Sequence, residues 1–93
     1  MYPFEEIDLS DGHWWSGRVG QVRVVVSAQG DVVLPAGILH GDWFVRISVG
    51  RSLEIYREGN CTRARDGWKR AVKYAKTLLD SLRPELTGGE QGE

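Results

Sequence analysis

The stretch from residue 43 to residue 58 alternates between apolar and other side chains, and this alternation constrains the fold more than any other feature. The odd positions of its first half are apolar and share one face of a predicted strand: Trp43, Val45, Ile47 and Val49. A second alternating run, Leu53 to Glu58, follows a glycine at position 50. Two such runs around a glycine predict an antiparallel hairpin, which Gly59-Asn60 is expected to end.

The length of the hairpin loop decides which side chains face each other. A two-residue loop would place Ile47 opposite Glu54. A three-residue loop, Gly50 to Ser52, places Ile47 opposite Ile55 and keeps the apolar residues together. Because a slip by one residue would reverse the two faces of the strand, we predict the three-residue loop.

The first half of the chain carries two further strand patterns. His13 to Val19 is predicted to be a strand interrupted by Gly17. Gln21 to Ser27 is rich in valine, and its even positions, 22, 24 and 26, lie on one face.

Turn-forming residues follow these strands. Ala28 to Asp31 is predicted to be a hairpin turn that leads into a short strand, Val32 to Leu34. Pro35 to Asp42 contains two glycines and a proline, which favours a loop.

One amphipathic helix completes the pattern. Its apolar residues recur at helical spacing: Trp68, Ala71, Val72, Ala75, Leu78, Leu79 and Leu82. We predict a helix from about Asp66 to Leu82, ended by Arg83-Pro84, with Asp66 as N-cap or Thr62 if it starts earlier. Trp68, Val72, Ala75 and Leu79 are expected to dock on Val45, Ile47 and Ile55.

These elements predict an α+β fold, in which an antiparallel β-sheet of four to five strands packs on one C-terminal amphipathic α-helix. At 93 residues the chain is expected to form one domain, residues 1–86, with a disordered tail at 87–93. A single cysteine excludes an internal disulfide and fits the reducing cytoplasm of a bacterial host. No signal peptide and no membrane span are expected, since the longest apolar run is Val24 to Val26.

The residues that most often carry chemistry do not form a known pattern. His13, His40 and Cys61 lie 27 and 21 residues apart, which matches no metal-binding motif, so no metal and no cofactor is predicted. Cys61 with either histidine is a formal dyad, but it has no local catalytic signature. The sequence therefore predicts a protein that is not an enzyme, with no catalytic residues.

A nucleic-acid surface is the alternative function. Strands can present basic and aromatic side chains to a groove, and the candidates here are four arginines together with Trp14 or Trp15: Arg46, Arg57, Arg63 and Arg65. Charge argues against it, because the pI is about 6.1 and residues 1–42 carry −4 against +6 for residues 43–84. A dedicated DNA-binding protein is usually clearly basic.

Protein binding is the function that the sequence favours. Adjacent tryptophans in a strand point to opposite faces, so one of Trp14 and Trp15 is expected on the face that the helix leaves uncovered. Phe44 and Tyr56 are expected to line that face with it, and these four aromatic residues are the predicted protein-binding site. The N-terminal residues Phe4 and Ile7 could cover the face instead, and pairing with a second copy is a third possibility.

The stretch from Trp43 to Leu82 resembles small accessory proteins of bacteriophages that infect GC-rich bacteria. The features that carry the resemblance are arginine in place of lysine in the hairpin, the pattern Thr62…Gly67-Trp68…Ala71…Ala75, and a Gly/Glu-rich tail. Such proteins take over the host or block its defences by binding and inhibiting a host protein. The resemblance implies a phage-encoded inhibitor or modulator of a host protein, and it assigns no role to any residue.

Overall fold

The computed structural model describes residues 2–6 and 13–82 and shows the predicted α+β fold. A short 3₁₀ helix, Pro3–Glu6, precedes six strands and one α-helix. These are β1 (His13–Val19), β2 (Val22–Gln29), β3 (Val32–Leu34), β4 (Gly37–Leu39), β5 (Gly41–Val49), β6 (Leu53–Cys61) and α1 (Ala64–Ser81). The predicted helix end at Arg83-Pro84 and the tail 87–93 lie outside the described residues. Helix α1 is not apolar enough to span a bilayer.

Four strands form an antiparallel sheet in the order β1-β2-β5-β6, and β3 pairs with β4 in a separate two-stranded ribbon. The predicted turn at residues 28–31 is wrong, because β2 runs on to Gln29 and pairs with β5. The predicted loop from 35 to 42 is also wrong, because it contains β4 and the start of β5. A Cβ at Gly41 would collide with the carbonyl oxygen of Gln29 and lie against that of Cys61. This glycine therefore lets β5 begin between β2 and β6, which leaves β3 without a place in the main sheet.

The base of the ribbon is closed by hydrogen bonds. The backbone N–H of Gly41 donates to Oδ1 of Asp31 at 2.7 Å, and the N–H of Asp31 donates to the carbonyl of Thr62 at 2.9 Å. His40 Nδ1 lies 3.6 Å from the same Asp31 oxygen. The two ends of the ribbon are thus fixed to the end of the sheet that leads into α1.

The predicted register of the β5–β6 hairpin is confirmed: Val49 faces Leu53 and Ile47 faces Ile55 across a three-residue loop. Gly50 adopts a φ of 53°, which a glycine tolerates without strain. The hairpin does not end at Gly59, since β6 continues to Cys61. A Cβ at Gly59 would lie only 2.6 Å from the Trp43 indole, so the glycine makes room for this ring within the strand. Strand β1 likewise continues through Gly17, where a Cβ would lie 2.8 Å from the Trp15 ring.

Helix α1 buries the predicted apolar stripe against the sheet. Trp68, Ala71, Ala75 and Leu79 belong to the core, and the rest of the stripe is partly buried at its edges. The sheet contributes the inward positions of its two central strands: Val22, Val24, Val26, Ala28, Trp43, Val45 and Ile47. The N-cap is Arg63, in extended conformation and without a side-chain capping bond, rather than Asp66 or Thr62. Asp66 lies in the first turn, where its negative charge interacts favourably with the helix dipole.

The 3₁₀ helix packs on the same side of the sheet as α1. Phe4 is fully buried, and its ring centroid lies 5.5 Å from that of Trp15. Lys76 Nζ of α1 lies 3.1 Å from Oε1 of Glu5, and the Tyr2 hydroxyl donates to Asp80 at 2.7 Å. One alternative predicted that Phe4 and Ile7 cover the side of the sheet opposite α1. Phe4 instead lies on the same side as α1, and Ile7 lies outside the described residues.

Candidate interaction face

The sheet face away from α1 is called the open face here. Strand alternation assigns it fifteen residues: Trp14, Ser16 and Arg18 of β1; Arg23, Val25, Ser27 and Gln29 of β2; Asp42, Phe44, Arg46 and Ser48 of β5; and Glu54, Tyr56, Glu58 and Asn60 of β6. Within the described ranges, α1 and the 3₁₀ helix both pack on the opposite side, so side chains from the sheet itself form this surface.

Three aromatic rings cross the open face and are called the aromatic row: Trp14, Phe44 and Tyr56. Trp14 and Phe44 meet edge to face at 6.1 Å, and Phe44 stacks with Tyr56 at 5.7 Å and an interplanar angle of 22°. Trp14 and Phe44 lie two strands apart, about 10 Å at the usual strand spacing. Ser27 of β2 lies between them in the register, and its small side chain lets the two rings meet above it.

The aromatic row remains exposed although its rings touch. Trp14 is 60% exposed and Tyr56 is 41% exposed, whereas Phe44 is partly buried between them. Large aromatic side chains usually lose most of their accessible surface on folding. A contiguous exposed group of three is therefore a candidate contact surface.

Charged groups surround one end of the aromatic row. The Arg46 guanidinium lies 5.6 Å from the Tyr56 ring centroid, and its Nε lies 3.5 Å from Oε2 of Glu54. The Tyr56 hydroxyl donates to Oε1 of Glu58 at 3.3 Å. Partial desolvation, and then the Glu58 carboxylate, raise the pKa of Tyr56 above its ordinary value.

Charge is balanced over the open face but unevenly placed. Its described residues include three arginines against three carboxylates: Arg18, Arg23 and Arg46 against Asp42, Glu54 and Glu58. Arg18 and Arg23 lie directly opposite each other beside the β1–β2 turn. With Gln21, Ser48 and Gly50 they line a depression of about 450 Å³. Asp42 and Glu58 lie toward the opposite end, so the face is polarised along its strands.

The four predicted protein-binding residues divide between the two faces. Trp14, Phe44 and Tyr56 share the open face, and Trp15 lies half-buried on the helix side against Phe4. Because side chains alternate along a strand, the two tryptophans had to lie on opposite faces of the sheet. Alternation alone does not determine which of them faces the helix. The register decides it, because Trp15 is opposite the core residue Val26.

The four predicted nucleic-acid residues do not share one surface. Arg46 lies on the open face, whereas Arg57 belongs to the other side of β6. Arg63 and Arg65 lie at the start of α1, beyond the end of β6. Sequence reasoning overlooked Arg18 and Arg23 as a pair. A two-residue turn at Gly20-Gln21 would have revealed them, since it places the two arginines opposite each other.

The histidines and the cysteine lie in separate environments. His13 is buried with its ring 5.7 Å from that of Trp68, and the His40 side chain is 78% exposed beside Asp31. The Cys61 thiol donates to the carbonyl of Gln29 at 3.3 Å, and burial raises its pKa. Across residues 2–6 and 13–82, no three histidine, cysteine or acidic side chains cluster closely enough to hold a metal ion.

The ribbon of β3 and β4 is a second exposed surface, and half of it lies in the predicted loop from 35 to 42. Four of its aliphatic side chains are between 45% and 81% exposed: Val33, Leu34, Ile38 and Leu39. The available signal was two short aliphatic runs on either side of Pro35-Ala36, which is the composition of a hairpin.

Comparison of the chain with protein-family models, with curated proteins and with solved structures finds no match, so the geometry of these exposed surfaces is the basis for assigning a function.

Proposed function

We propose that this chain is a non-enzymatic interaction protein that binds another protein through its open face. The observation that carries the proposal is the aromatic row, and above all Trp14, which is 60% exposed on a sheet face that no described element covers. Tryptophan and tyrosine are over-represented among the side chains that dominate binding energy. The partner would cover the three rings, and the charged residues around them would form the rim of the interface.

Balanced charge supports a protein partner over a nucleic acid. A phosphate backbone attracts proteins mainly through an excess of lysine and arginine. The open face carries as many described carboxylates as guanidiniums, and the predicted arginines are spread over several surfaces. A partner protein instead matches both signs, acidic groups near Arg18 and basic groups near Glu58.

The resemblance to phage accessory proteins suggests which proteins to test. If the chain is phage-encoded, its partner is a host protein that it inhibits or modulates. The direct experiment incubates tagged chain with lysates of several bacterial hosts and identifies retained proteins by mass spectrometry. Trp14→Ala should release a genuine partner. Tyr74→Ala is the matched control, because Tyr74 is a similarly exposed aromatic residue on the helix side.

Both variants must remain folded for this comparison, which circular dichroism and the melting temperature establish. A partner released by Trp14→Ala and kept by Tyr74→Ala supports the proposal. A partner released only by Tyr74→Ala contradicts it, as does the recovery of no specific protein from any host.

Single-stranded nucleic acid is the second candidate, and one observation favours it. Arg18, Arg23 and Arg46 share the open face with the aromatic row, and bases stack on such rings at about 1–3 kcal/mol each. Fluorescence anisotropy with labelled oligonucleotides at low salt tests it. Binding that falls steeply as salt increases, and that Arg23→Ala weakens, would favour this candidate over the protein partner.

A further inference from the structure

We propose that the β3–β4 ribbon is a self-association arm, in which the ribbon of one chain pairs edge to edge with the ribbon of a second copy about a twofold axis. The inference concerns a different surface from the open face and does not depend on the function proposed for it.

The first argument is that the ribbon is incomplete alone. Its two strands pair with each other and form no part of the four-stranded sheet. An isolated two-stranded ribbon is at best marginally stable in water, and three or more strands or a packed apolar face are needed for independent stability. The exposed aliphatic side chains of Val33 and Ile38 face each other across the ribbon, yet no described residue covers them.

The second argument is the contrast between strand edges. The outer strands of the main sheet carry charges, Arg18 on β1 and Glu54, Arg57 and Glu58 on β6. Charged side chains on an edge strand discourage pairing with other chains. The ribbon has no charged residue from Val32 to Leu39. Among the edge strands that the structure describes, β3 and β4 are the two that carry no charged side chain.

The third argument identifies the occupant as a second copy. A strand that adds to an open edge needs matching backbone groups, and it must lack the charged side chains that discourage pairing. The ribbon's own strands meet both requirements, and antiparallel pairing of two identical strands is naturally twofold symmetric. Pairing through β3 would place Val33 opposite Val33 of the second copy, and pairing through β4 would do the same for Ile38. In either pairing, Asp31 and His40 at the ends of the ribbon do not lie opposite the same residue of the second copy.

The small number of residues in the ribbon indicates how tightly the two copies should bind. The ribbon offers eight residues, Val32 to Leu39, against the roughly 20–30 residues per side of a standard stable interface. The dimer is therefore weak and reversible. Its population should rise with concentration rather than persist at high dilution.

Sedimentation velocity from about 1 μM to 1 mM tests the proposal. The weight-average mass of the wild-type chain should rise from monomer toward dimer over this range. Lysine or glutamate at position 33, for pairing through β3, or at position 38, for pairing through β4, should keep the chain monomeric, since the twofold axis brings the charge on the pairing strand against its own copy. These positions are exposed, so the melting temperature should stay close to that of the wild type.

Mixing provides the decisive readout. An equimolar mixture of Val33→Lys and Val33→Glu, or of Ile38→Lys and Ile38→Glu, should regain the dimer, and the position that is rescued identifies the pairing strand. Trp14→Ala should associate like the wild type. A wild-type chain that stays monomeric throughout would overturn the proposal. So would a dimer that survives all four ribbon variants, or failure of both mixtures to regain it.

Discussion

Arg18 and Arg23 lie directly opposite each other on neighbouring antiparallel strands, so two like charges face one another on the same side of the sheet. The acidic residue in the same cross-strand row, Glu54, pairs with Arg46 instead. Like charges opposite each other in a sheet are destabilising. This end of the open face therefore holds positive charge at a cost to stability, which is consistent with a contact that supplies negative charge.

Replacing one of these arginines should stabilise the free chain. We expect Arg18→Thr to raise the free energy of unfolding by about 0.2–1 kcal/mol, because it removes the repulsion and threonine suits a strand. Urea denaturation at low salt measures the change, and the gain should shrink at high salt as the repulsion is screened. Arg51→Thr, in the β5–β6 loop, is the control. A destabilised Arg18→Thr variant would show that the pair is not repulsive.

Gly59 should not accept a side chain while Trp43 is present. The Cβ of alanine would come within 2.6 Å of the indole, so we expect Gly59→Ala to lower the free energy of unfolding by roughly 1–3 kcal/mol. Trp43→Phe replaces the indole by a smaller ring that lacks the contacting Nε1 atom and its neighbours. The double variant should therefore lose less than the sum of the two single losses. Additive losses would mean that the close contact does not set the cost.

Leu78 and Leu79 form a matched pair for testing the helix stripe. Leu79 is fully buried, whereas Leu78 packs at the edge of the core. We expect Leu79→Ala to lower the free energy of unfolding by about 2–5 kcal/mol through lost burial and the cavity that remains. Leu78→Ala should cost clearly less, because that side chain is partly exposed. Equal losses by chemical denaturation would contradict the packing described for α1.

Glu5 should make the packing of the 3₁₀ helix against α1 sensitive to acid. The backbone N–H of Tyr2, and then Lys76, lower the pKa of Glu5 below its ordinary value of 4.5. Because the folded-state pKa is the lower one, the stabilisation is present above about pH 4.5 and is lost as pH falls through the folded-state pKa. Glu5→Gln should show a smaller loss of stability between pH 6 and pH 3 than the wild type. An identical pH profile for the two proteins would argue against this role.

The Cys61 thiol should react slowly in the folded protein. Burial raises its pKa, so little reactive thiolate is present at neutral pH. We expect Ellman's reagent to modify the folded chain far more slowly than the chain in denaturant. Comparable rates in both conditions would show that the thiol is accessible.

The local sequence pattern was sufficient to choose between structures that would bury different side chains. The β5–β6 loop could be predicted because a two-residue loop would have set Ile47 against Glu54. The seven-residue helix stripe could be predicted because its period fits one face of α1. Both decisions depended on residues close together in the sequence.

Contacts between distant residues were beyond the same reasoning. Nothing near Ala28 in the sequence indicates that it pairs with Trp43, or that Gly41 fits between two neighbouring strands. The turn chemistry of residues 28–31 therefore suggested a local hairpin that does not form. The choice between Trp14 and Trp15 also depended on tertiary register, since either assignment satisfies alternation equally well.

The ribbon leaves the sheet at Gln29 and returns at Asp42, two residues that are already paired with each other. Apart from Gly41, which begins β5, the residues between them form an excursion from a junction that the surrounding strands define without it. A short turn in its place would still join β2 to β5, so insertions and deletions in this excursion leave the core sequence unaltered. The length and composition of the ribbon can therefore change during evolution while the residues of the hydrophobic core stay the same.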